Sequence, residues 1–193
     1  SDRAISWLPL YHDMGLIGGL LQPLHRGIPV VLMSPRYFLE RPVRWLEAIS
    51  RHRATISGGP DFAYRLCLER VSEAQLQKLD LSSWSLAFSG AEPVRADTLR
   101  EFRRQFAPAG FAAGAVYPCY GLAESTLFVT GGQRGSGMVA QDFSSQALAR
   151  GVVEIEAEGT TLVGCGRTVS GHAVRIVVPA SLAVCEAGGI GVV

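Results

Sequence analysis

The sequence predicts an α/β protein whose mostly parallel sheet is flanked by helices. Short apolar runs recur along the first 120 residues, and segments with helical periodicity lie between several of them. Strands that alternate with such helices are typical of βαβ units, whose crossovers are right-handed. With 193 residues, of which 48% are hydrophobic and 18% charged, the chain can bury the core of one domain.

Five apolar runs are predicted as the strands of this sheet. They are AISWLPL (4–10), IPVVLM (28–33), ATIS (54–57), SLAFS (85–89) and AVYP (115–118). Short apolar runs of this kind are typical of strands that are buried in a parallel sheet.

Three segments between these runs are predicted as helices, over residues 40–52, 60–79 and 94–106. Pro42 and Pro60 lie near the starts of the first two, where the fixed φ of proline suits the first turn of a helix. The apolar side chains that share a face are Val43, Leu46 and Ile49 in the first segment, Phe62, Leu66 and Cys67 in the second, and Leu99, Phe102 and Phe106 in the third.

The chain changes character after residue 132. A glycine-rich stretch with a weak helical pattern follows over residues 133–151, and residues 160–184 read as short strands separated by turns, which favours antiparallel structure there. We therefore divide the chain into an α/β unit over 1–132, an insertion or linker over 133–161, and the start of a following β region over 162–193.

Charge and cysteine content exclude several classes of function. A net charge of +1, with no run rich in Lys or Arg, gives no basis for binding nucleic acid or an anionic membrane surface. The four cysteines are far apart and form no C-x-x-C pair, so we expect free thiols, no zinc site and a cytoplasmic location. No apolar stretch approaches the roughly 18 residues of a membrane span.

Four of the predicted strands end in loops of unusual content. In an open parallel sheet, ligands bind beyond the carboxyl ends of the strands. Glycine-rich turns let a ligand approach the backbone closely, and Tyr120 offers a flat face for a planar ring. Glu92, Glu124 and Asp13 offer oxygens for a hard cation such as Mg²⁺. The four loops, which together suit a nucleotide, are LYHDMG (10–15), GGPD (58–61), SGAEP (89–93) and CYGLAES (119–125).

The same residues also have purely structural interpretations. Tyr120 suits a half-buried core position, and Glu124 suits an acid at the start of a helix. His12 beside Asp13 suits a catalytic pair, but adjacent residues rarely face each other, so the spacing favours a structural role for His12. The Ser89–Gly90 pair lacks the glycine pattern of a hydrolase nucleophile, and Gly164-Cys165-Gly166 lacks the third glycine of a dinucleotide site. The residues alone therefore indicate an α/β protein with a nucleotide or acyl-group site.

Three motifs taken together resemble those of the adenylate-forming enzymes, which include acyl-CoA synthetases, peptide-synthetase adenylation domains and luciferases. WLPLYHDMGLIGG is similar to that superfamily's LPLxHxxG segment, SGAEP to its GGAxP turn, and YGLAES to its YGxTE element. The forms LPLYHDMGLIGG, YGLAEST and LVGCGR are most similar to fatty acyl-AMP ligases. These enzymes activate a fatty acid as acyl-adenylate and pass it to an acyl carrier protein rather than to coenzyme A.

On the nucleotide side, the resemblance implies roles for residues of two loops. Tyr120 would stack on adenine, Gly121 would keep the turn tight, and Glu124 would hold Mg²⁺ on the triphosphate of ATP. Ser125 would lie close to the phosphate. The adenine pocket would be walled by Ser89, Gly90, Ala91, Glu92 and Pro93.

On the acyl side, the resemblance places His12 at the mouth of the site, near the reacting carboxylate. The fatty-acyl tunnel would be lined by Met14, Gly15, Gly18 and Gly59. Residues 133–161 match the position of an insertion that fatty acyl-AMP ligases carry and their CoA-using relatives lack. An idle surface loop is the alternative interpretation of that segment.

The resemblance implies that a fatty acid and ATP give acyl-AMP and pyrophosphate, after which the acyl group passes to an acyl carrier protein. The alternatives are a long-chain fatty acyl-CoA ligase, an inactive nucleotide- or acyl-binding module, and a protein-interaction domain that docks through 133–161. The family's Ser/Thr/Gly-rich phosphate loop has no counterpart here, and the only lysine, Lys78, matches no catalytic motif of the family. We therefore expect an internal portion of the large N-terminal adenylation domain that is inactive by itself.

Overall fold

The computed structural model describes residues 1–193 and has a central sheet of seven strands. These are β1 (Ala4–Ser6), β2 (Val30–Leu32), β3 (Ile56–Gly59), β4 (Leu86–Ser89), β5 (Val116–Gly121), β6 (Phe128–Gly131) and β9 (Arg167–Thr168). Their order is β2-β1-β3-β4-β5-β6-β9, and the first five run parallel while β6 and β9 add antiparallel pairs. The predicted class, a mostly parallel sheet flanked by helices, is confirmed.

Seven α-helices and one π-helix connect the strands. The π-helix is Met14–Leu21, and the α-helices are α1 (Gln22–His25), α2 (Pro35–Glu40), α3 (Val43–His52), α4 (Asp61–Arg70), α5 (Glu73–Leu76), α6 (Ala96–Phe106) and α7 (Ser145–Ala149). The predicted helix over 60–79 is two helices, because Val71 and Ser72 are extended. Ser72 starts α5, and its N–H donates to the Gln75 side chain at 2.9 Å.

The first predicted strand is shorter than expected. It ends at Ser6 rather than at Leu10, because the chain turns there and the His12 N–H donates to the Pro9 carbonyl. This turn leads directly into the π-helix. The first loop therefore begins deeper in the sheet than the apolar pattern indicates.

The core is a cluster of aromatic rings packed between α3, α4, α6 and the parallel strands. Trp45 lies with its ring centroid 5.2 Å from that of Trp84, and both side chains are fully buried. Ser57 on β3 satisfies both indoles: its Oγ accepts from Trp45 Nε1 at 2.8 Å, and its carbonyl accepts from Trp84 Nε1 at 3.1 Å. The Ser57 hydroxyl in turn donates to the carbonyl of Ile5 at 2.8 Å.

The last third of the chain is built from short antiparallel pieces, as the turn-rich pattern predicts. A separate hairpin joins β7 (Ala140–Phe143) to β8 (Thr160–Val163), so the boundary predicted at residue 161 falls inside a strand. Farther on, Val177 forms isolated bridges with Val184 and Val192. No helix in the structure combines the length and the hydropathy needed to cross a membrane.

Candidate functional site

The strand order places a crevice between β1 and β3, where the order of the parallel strands reverses. Such a reversal is where ligands bind in open α/β sheets. A cavity of about 300 Å³ opens at this point, at the lower end of the range for small-molecule sites. It is lined by Trp7, Leu8, Pro9, Tyr11, His12, Met14, Gly15, Pro35, Leu39, Pro60, Phe62, Ala91 and Glu92.

The loop after β1 pairs its two adjacent polar residues. His12 Nδ1 lies 2.5 Å from Asp13 Oδ1, and the His12 side chain is 58% exposed at the cavity. The same aspartate oxygen accepts the N–H of Met14 at 2.7 Å, which caps the π-helix. The imidazole is therefore oriented by Asp13 and faces the open side of the site.

The glycines that were assigned to the acyl tunnel lie in different surroundings. Gly15, next to Met14, lines the cavity and packs against the Pro9 carbonyl. Gly18 lies against Leu127, since a Cβ there would come within 3.0 Å of its Cδ2. Gly59 is buried against the Trp7 indole and does not line the cavity.

The turn after β4 packs tightly against β5. A Cβ added to Gly90 would lie 2.8 Å from the carbonyl oxygen of Cys119 and 3.1 Å from its Sγ. The next residue, Ala91, has φ 66°, a left-handed backbone that non-glycine residues rarely adopt. Ser89 is fully buried, and its hydroxyl has no hydrogen-bond partner in the protein. Pro93 completes the turn and is exposed.

Cys119 lies directly against this turn but is not a nucleophile. Burial raises the pKa of its thiol to about 12, so the thiol stays protonated near neutral pH. Its Sγ donates weakly to the Ser89 carbonyl at 3.5 Å. The side chain therefore contributes packing rather than covalent chemistry.

The loop after β5 extends past the end of β4. Pro118 pairs with Ser89, the last residue of β4, so Tyr120 lies two residues farther along, beside the β4 turn. Tyr120 is 37% exposed. Gly121 leaves no room for a Cβ, which would collide with the carbonyl oxygen of Leu127. The tip of this loop is thereby folded back onto β6.

A strained γ-turn follows Glu124 and Ser125 in the same loop. Thr126 has φ 70° and ψ −56°, and the Leu127 N–H donates to the Ser125 carbonyl at 2.9 Å across it. This form of the γ-turn is rare, and a positive φ is unusual for a β-branched residue. Glu124 and Ser125 are exposed at the tip, and the Glu124 carboxylate has no partner in the protein.

The structure brings the predicted loops together through direct contacts. His12, Met14, Gly15, Ala91 and Glu92 line one cavity, and the β4 turn also touches the start of the Tyr120 loop. Sequence reasoning missed several lining residues. The missed side chains include Trp7, Tyr11, Pro35, Leu39 and Phe62. A signal was present for two of them, because Tyr11 lies in the predicted loop 10–15 and Phe62 directly follows the predicted loop 58–61.

Glu124 has the chemistry to hold a magnesium ion. No group of three or more His, Cys, Asp or Glu side chains forms a ready-made metal site. Mg²⁺ is commonly bound through one or two carboxylates together with substrate phosphates. An exposed carboxylate without a protein partner, such as that of Glu124, fits this mode of binding.

Comparison with known proteins assigns the chain to a family. A family model described as AMP-binding enzyme matches residues 1–193. The chain belongs to the AMP-binding enzyme family. Among curated AMP-binding relatives, the medium-chain-fatty-acid–[acyl-carrier-protein] ligase TtuA of Teredinibacter turnerae is 48% identical over 96% of this chain and 29% of its own length. The ligase JamA of Moorena producens, described in the same words, is 44% identical over 97% of this chain and 33% of its own length.

Solved structures of family members have the same fold. The fatty acid AMP ligase from Legionella pneumophila matches with a TM-score of 0.94 and 42% identity, over 98% of this chain and 34% of that one. A fatty acyl-adenylate ligase of L. pneumophila, in complex with acyl adenylate and pyrophosphate, matches with a TM-score of 0.92 and 43% identity, over 96% of this chain and 33% of that one. The resemblance to fatty acyl-AMP ligases is thereby confirmed. The chain spans about a third of the length of these relatives.

Proposed function

We propose that this chain forms the central part of the nucleotide and acyl sites of a fatty acid adenylating ligase. The reaction joins a fatty acid carboxylate to the α-phosphate of ATP, giving acyl-AMP and pyrophosphate. The observation that carries the proposal is the β4 turn, which lines the apolar cavity through Ala91 and touches the Tyr120 loop through Gly90. One turn thus joins the apolar cavity to the loop that carries Tyr120 and Glu124. An acyl-adenylate, which has an apolar chain and a nucleotide, needs two such neighbouring sites.

On the nucleotide side, Tyr120 offers its half-exposed ring to adenine while the turn over 89–93 forms the opposite wall. Gly121 keeps the loop folded, and Ser125 lies at the exposed tip for contact with phosphate. Glu124 would hold Mg²⁺, which neutralises the charge that builds up on the phosphates. Because the reaction brings two anions together, this neutralisation and a fixed alignment supply most of the rate.

On the acyl side, the cavity takes the fatty acid and His12 lies beside its carboxylate. Of the residues that were predicted to line the tunnel, Met14 and Gly15 line the cavity, Gly59 packs behind the lining residue Trp7, and Gly18 lies against Leu127, which is not part of the lining. Burial of each CH₂ contributes about 0.8 kcal/mol of binding free energy. Apolar burial therefore anchors the chain while the polar groups orient its carboxylate.

The acceptor that we propose is the thiol of an acyl carrier protein. The relatives TtuA and JamA are named as acyl-carrier-protein ligases. The segment 133–161, where fatty acyl-AMP ligases carry their insertion, starts next to the sheet and forms most of the β7–β8 hairpin. A fatty acyl-CoA ligase is the rival, and it would use the same adenylation site.

The test is an assay of the full-length protein that contains this chain. We expect decanoate-dependent ATP–pyrophosphate exchange, and transfer of the acyl group to a holo acyl carrier protein faster than to CoA. Efficient formation of acyl-CoA would contradict the proposed acceptor, and nucleotide binding without exchange would indicate a non-catalytic module. We expect residues 1–193 alone to give no exchange above background.

A further inference from the structure

The carboxylate of Glu92 caps a helix that begins 31 residues earlier in the chain. Its Oε1 accepts the N–H of Phe62, in the first turn of α4, at 2.7 Å. Pro60 precedes this helix, and its side chain cannot accept a hydrogen bond, so the first N–H groups need acceptors from elsewhere. Glu92 supplies that acceptor and places its negative charge at the positive end of the helix.

A second carboxylate makes the reverse connection between the same two loops. Asp61, only 5% exposed, accepts the backbone N–H of Arg95 at 3.0 Å through its Oδ1. Arg95 directly precedes α6, which has no side-chain cap of its own. Each loop therefore presents a carboxylate to a backbone N–H of the other, and the pair of bonds fixes their relative position.

The two clamped loops both line the apolar cavity, and the β4 turn also touches the Tyr120 loop. Phe62 follows β3 and lines the apolar cavity, where its ring packs edge-on against Trp7 with centroids 5.9 Å apart. Ala91 lies in the β4 turn with φ 66°, a conformation that persists only where the surroundings hold it. Gly90, one residue earlier, touches Cys119 beside the Tyr120 loop. The bond from Phe62 to Glu92 therefore spans the junction between the acyl and nucleotide sides.

We propose that Glu92 is a positioning residue, which aligns the acyl and nucleotide sides by accepting the Phe62 N–H. The inference rests on the proposed adenylating function and deepens it. Because Oε1 is engaged by the Phe62 N–H, we assign the effect of Glu92 to Phe62 and Ala91, and the Glu92→Gln comparison tests a direct role at magnesium. Small displacements of either loop then misalign the carboxylate of the fatty acid and the α-phosphate of ATP.

The experiment compares Glu92→Ala and Glu92→Gln in the full-length enzyme, with Glu69→Ala as a control on the exposed part of α4. KM and kcat for ATP and for decanoate are measured by pyrophosphate exchange, together with the thermal unfolding midpoint. We expect Glu92→Ala to lower kcat and to raise both KM values, each about tenfold, because the loops that hold the two substrates lose their alignment. Glu92→Gln should stay within about threefold of wild type, because its amide oxygen still accepts the Phe62 N–H. The control should leave both KM values unchanged.

Two results would overturn the proposal. If Glu92→Gln impaired catalysis as strongly as Glu92→Ala, the result would show that the charge of Glu92 acts directly on the metal or the nucleotide. If Glu92→Ala lowered the unfolding midpoint but left kcat and both KM values unchanged, its role would be structural only.

Hydrogen exchange of the Phe62 amide separates this inference from the proposed function. A full-length wild-type protein without ATP–pyrophosphate exchange activity would overturn the adenylation proposal. The alignment role, which rests on that proposal, would then be overturned as well. The amide measurement then still decides the contact. Slow hydrogen exchange of the Phe62 amide in wild type and Glu92→Gln, with faster exchange in Glu92→Ala, supports the bond between Phe62 and Glu92. Equal hydrogen exchange in all three proteins overturns it.

Discussion

The backbone of Cys119 lies so close to Gly90 that a Cβ on Gly90 would be 2.8 Å from the Cys119 carbonyl oxygen. This contact joins the β4 turn to the strand that carries Tyr120. It places the two loops that were predicted to hold adenine side by side. Since Ala91 and Glu92 of the same turn line the apolar cavity, the turn is common to both parts of the site.

Gly90→Ala tests this close approach. The added methyl group pushes the turn away from β5, so we expect kcat/KM for ATP in the full-length enzyme to fall about 10- to 100-fold. Gly132→Ala is the matched control, because nothing lies within 4 Å of a Cβ at that exposed position. Both are measured by pyrophosphate exchange. Equal activity of the two variants would contradict the role of the turn.

Glu124→Gln tests the proposed magnesium ligand. The amide keeps the size of the side chain but removes its charge, so we expect adenylation to fall by about 10²- to 10³-fold and the Mg²⁺ dependence to shift to higher concentration. The control is Glu69→Gln, another exposed acid without a protein partner. Unchanged activity in Glu124→Gln would show that the metal is held elsewhere.

Asp2 makes stability depend on pH. Hydrogen bonds from Arg134, and then from Thr55, lower the pKa of its carboxyl from the ordinary 3.8 to about 2. A lowered pKa in the folded state stabilises the protein above pH 3.8, and this stabilisation is lost as the pH falls toward 2. We therefore expect Asp2→Asn to lower the free energy of unfolding more at pH 7 than at pH 3.

Urea unfolding at the two pH values checks this expectation. The control is Glu47→Gln, which replaces an exposed acid on α3. Its effect on the free energy of unfolding should be the same at both pH values. An Asp2→Asn effect that was equal at both values would mean that the bidentate contact with Arg134 contributes nothing through charge.

Ser57→Ala tests the polar centre of the core. The substitution leaves the Trp45 N–H buried without a partner, so we expect the free energy of unfolding to fall by about 1–3 kcal/mol. Ser136→Ala, at an exposed loop position, should change it little. Denaturant titration measures the free energy of unfolding of both variants. Equal values would show that the Ser57 hydroxyl does not stabilise the core.

Local patterns were sufficient to predict the amphipathic helices and the parallel strands. Helix α6 lies where the spacing of Leu99, Phe102 and Phe106 predicts it, because one apolar face must pack on the sheet. The β4 turn and the Tyr120 loop were found because both follow predicted strands. These elements depend on periodicity and on glycine-rich turns, which a sequence displays directly.

Features that depend on distant contacts were not predicted. The π-helix Met14–Leu21 contains three glycines, which disfavour a helix by propensity. It forms where Gly19 packs closely on Ser6 of the first strand and Gly15 on the turn at Pro9. The adjacent residues His12 and Asp13 do pair, although their spacing disfavours it, and the same Asp13 oxygen caps this helix. The bond from Phe62 to Glu92 joins residues 30 positions apart, so no local spacing reveals it.

A crystal structure of the full-length protein with a non-hydrolysable acyl-adenylate analogue tests the central claim most directly. We predict that the adenine lies against the Tyr120 ring, beside the turn over 89–93, with the acyl chain in the cavity lined by Trp7 and Phe62. Adenine bound away from Tyr120, or an acyl chain that leaves this cavity empty, would contradict the account.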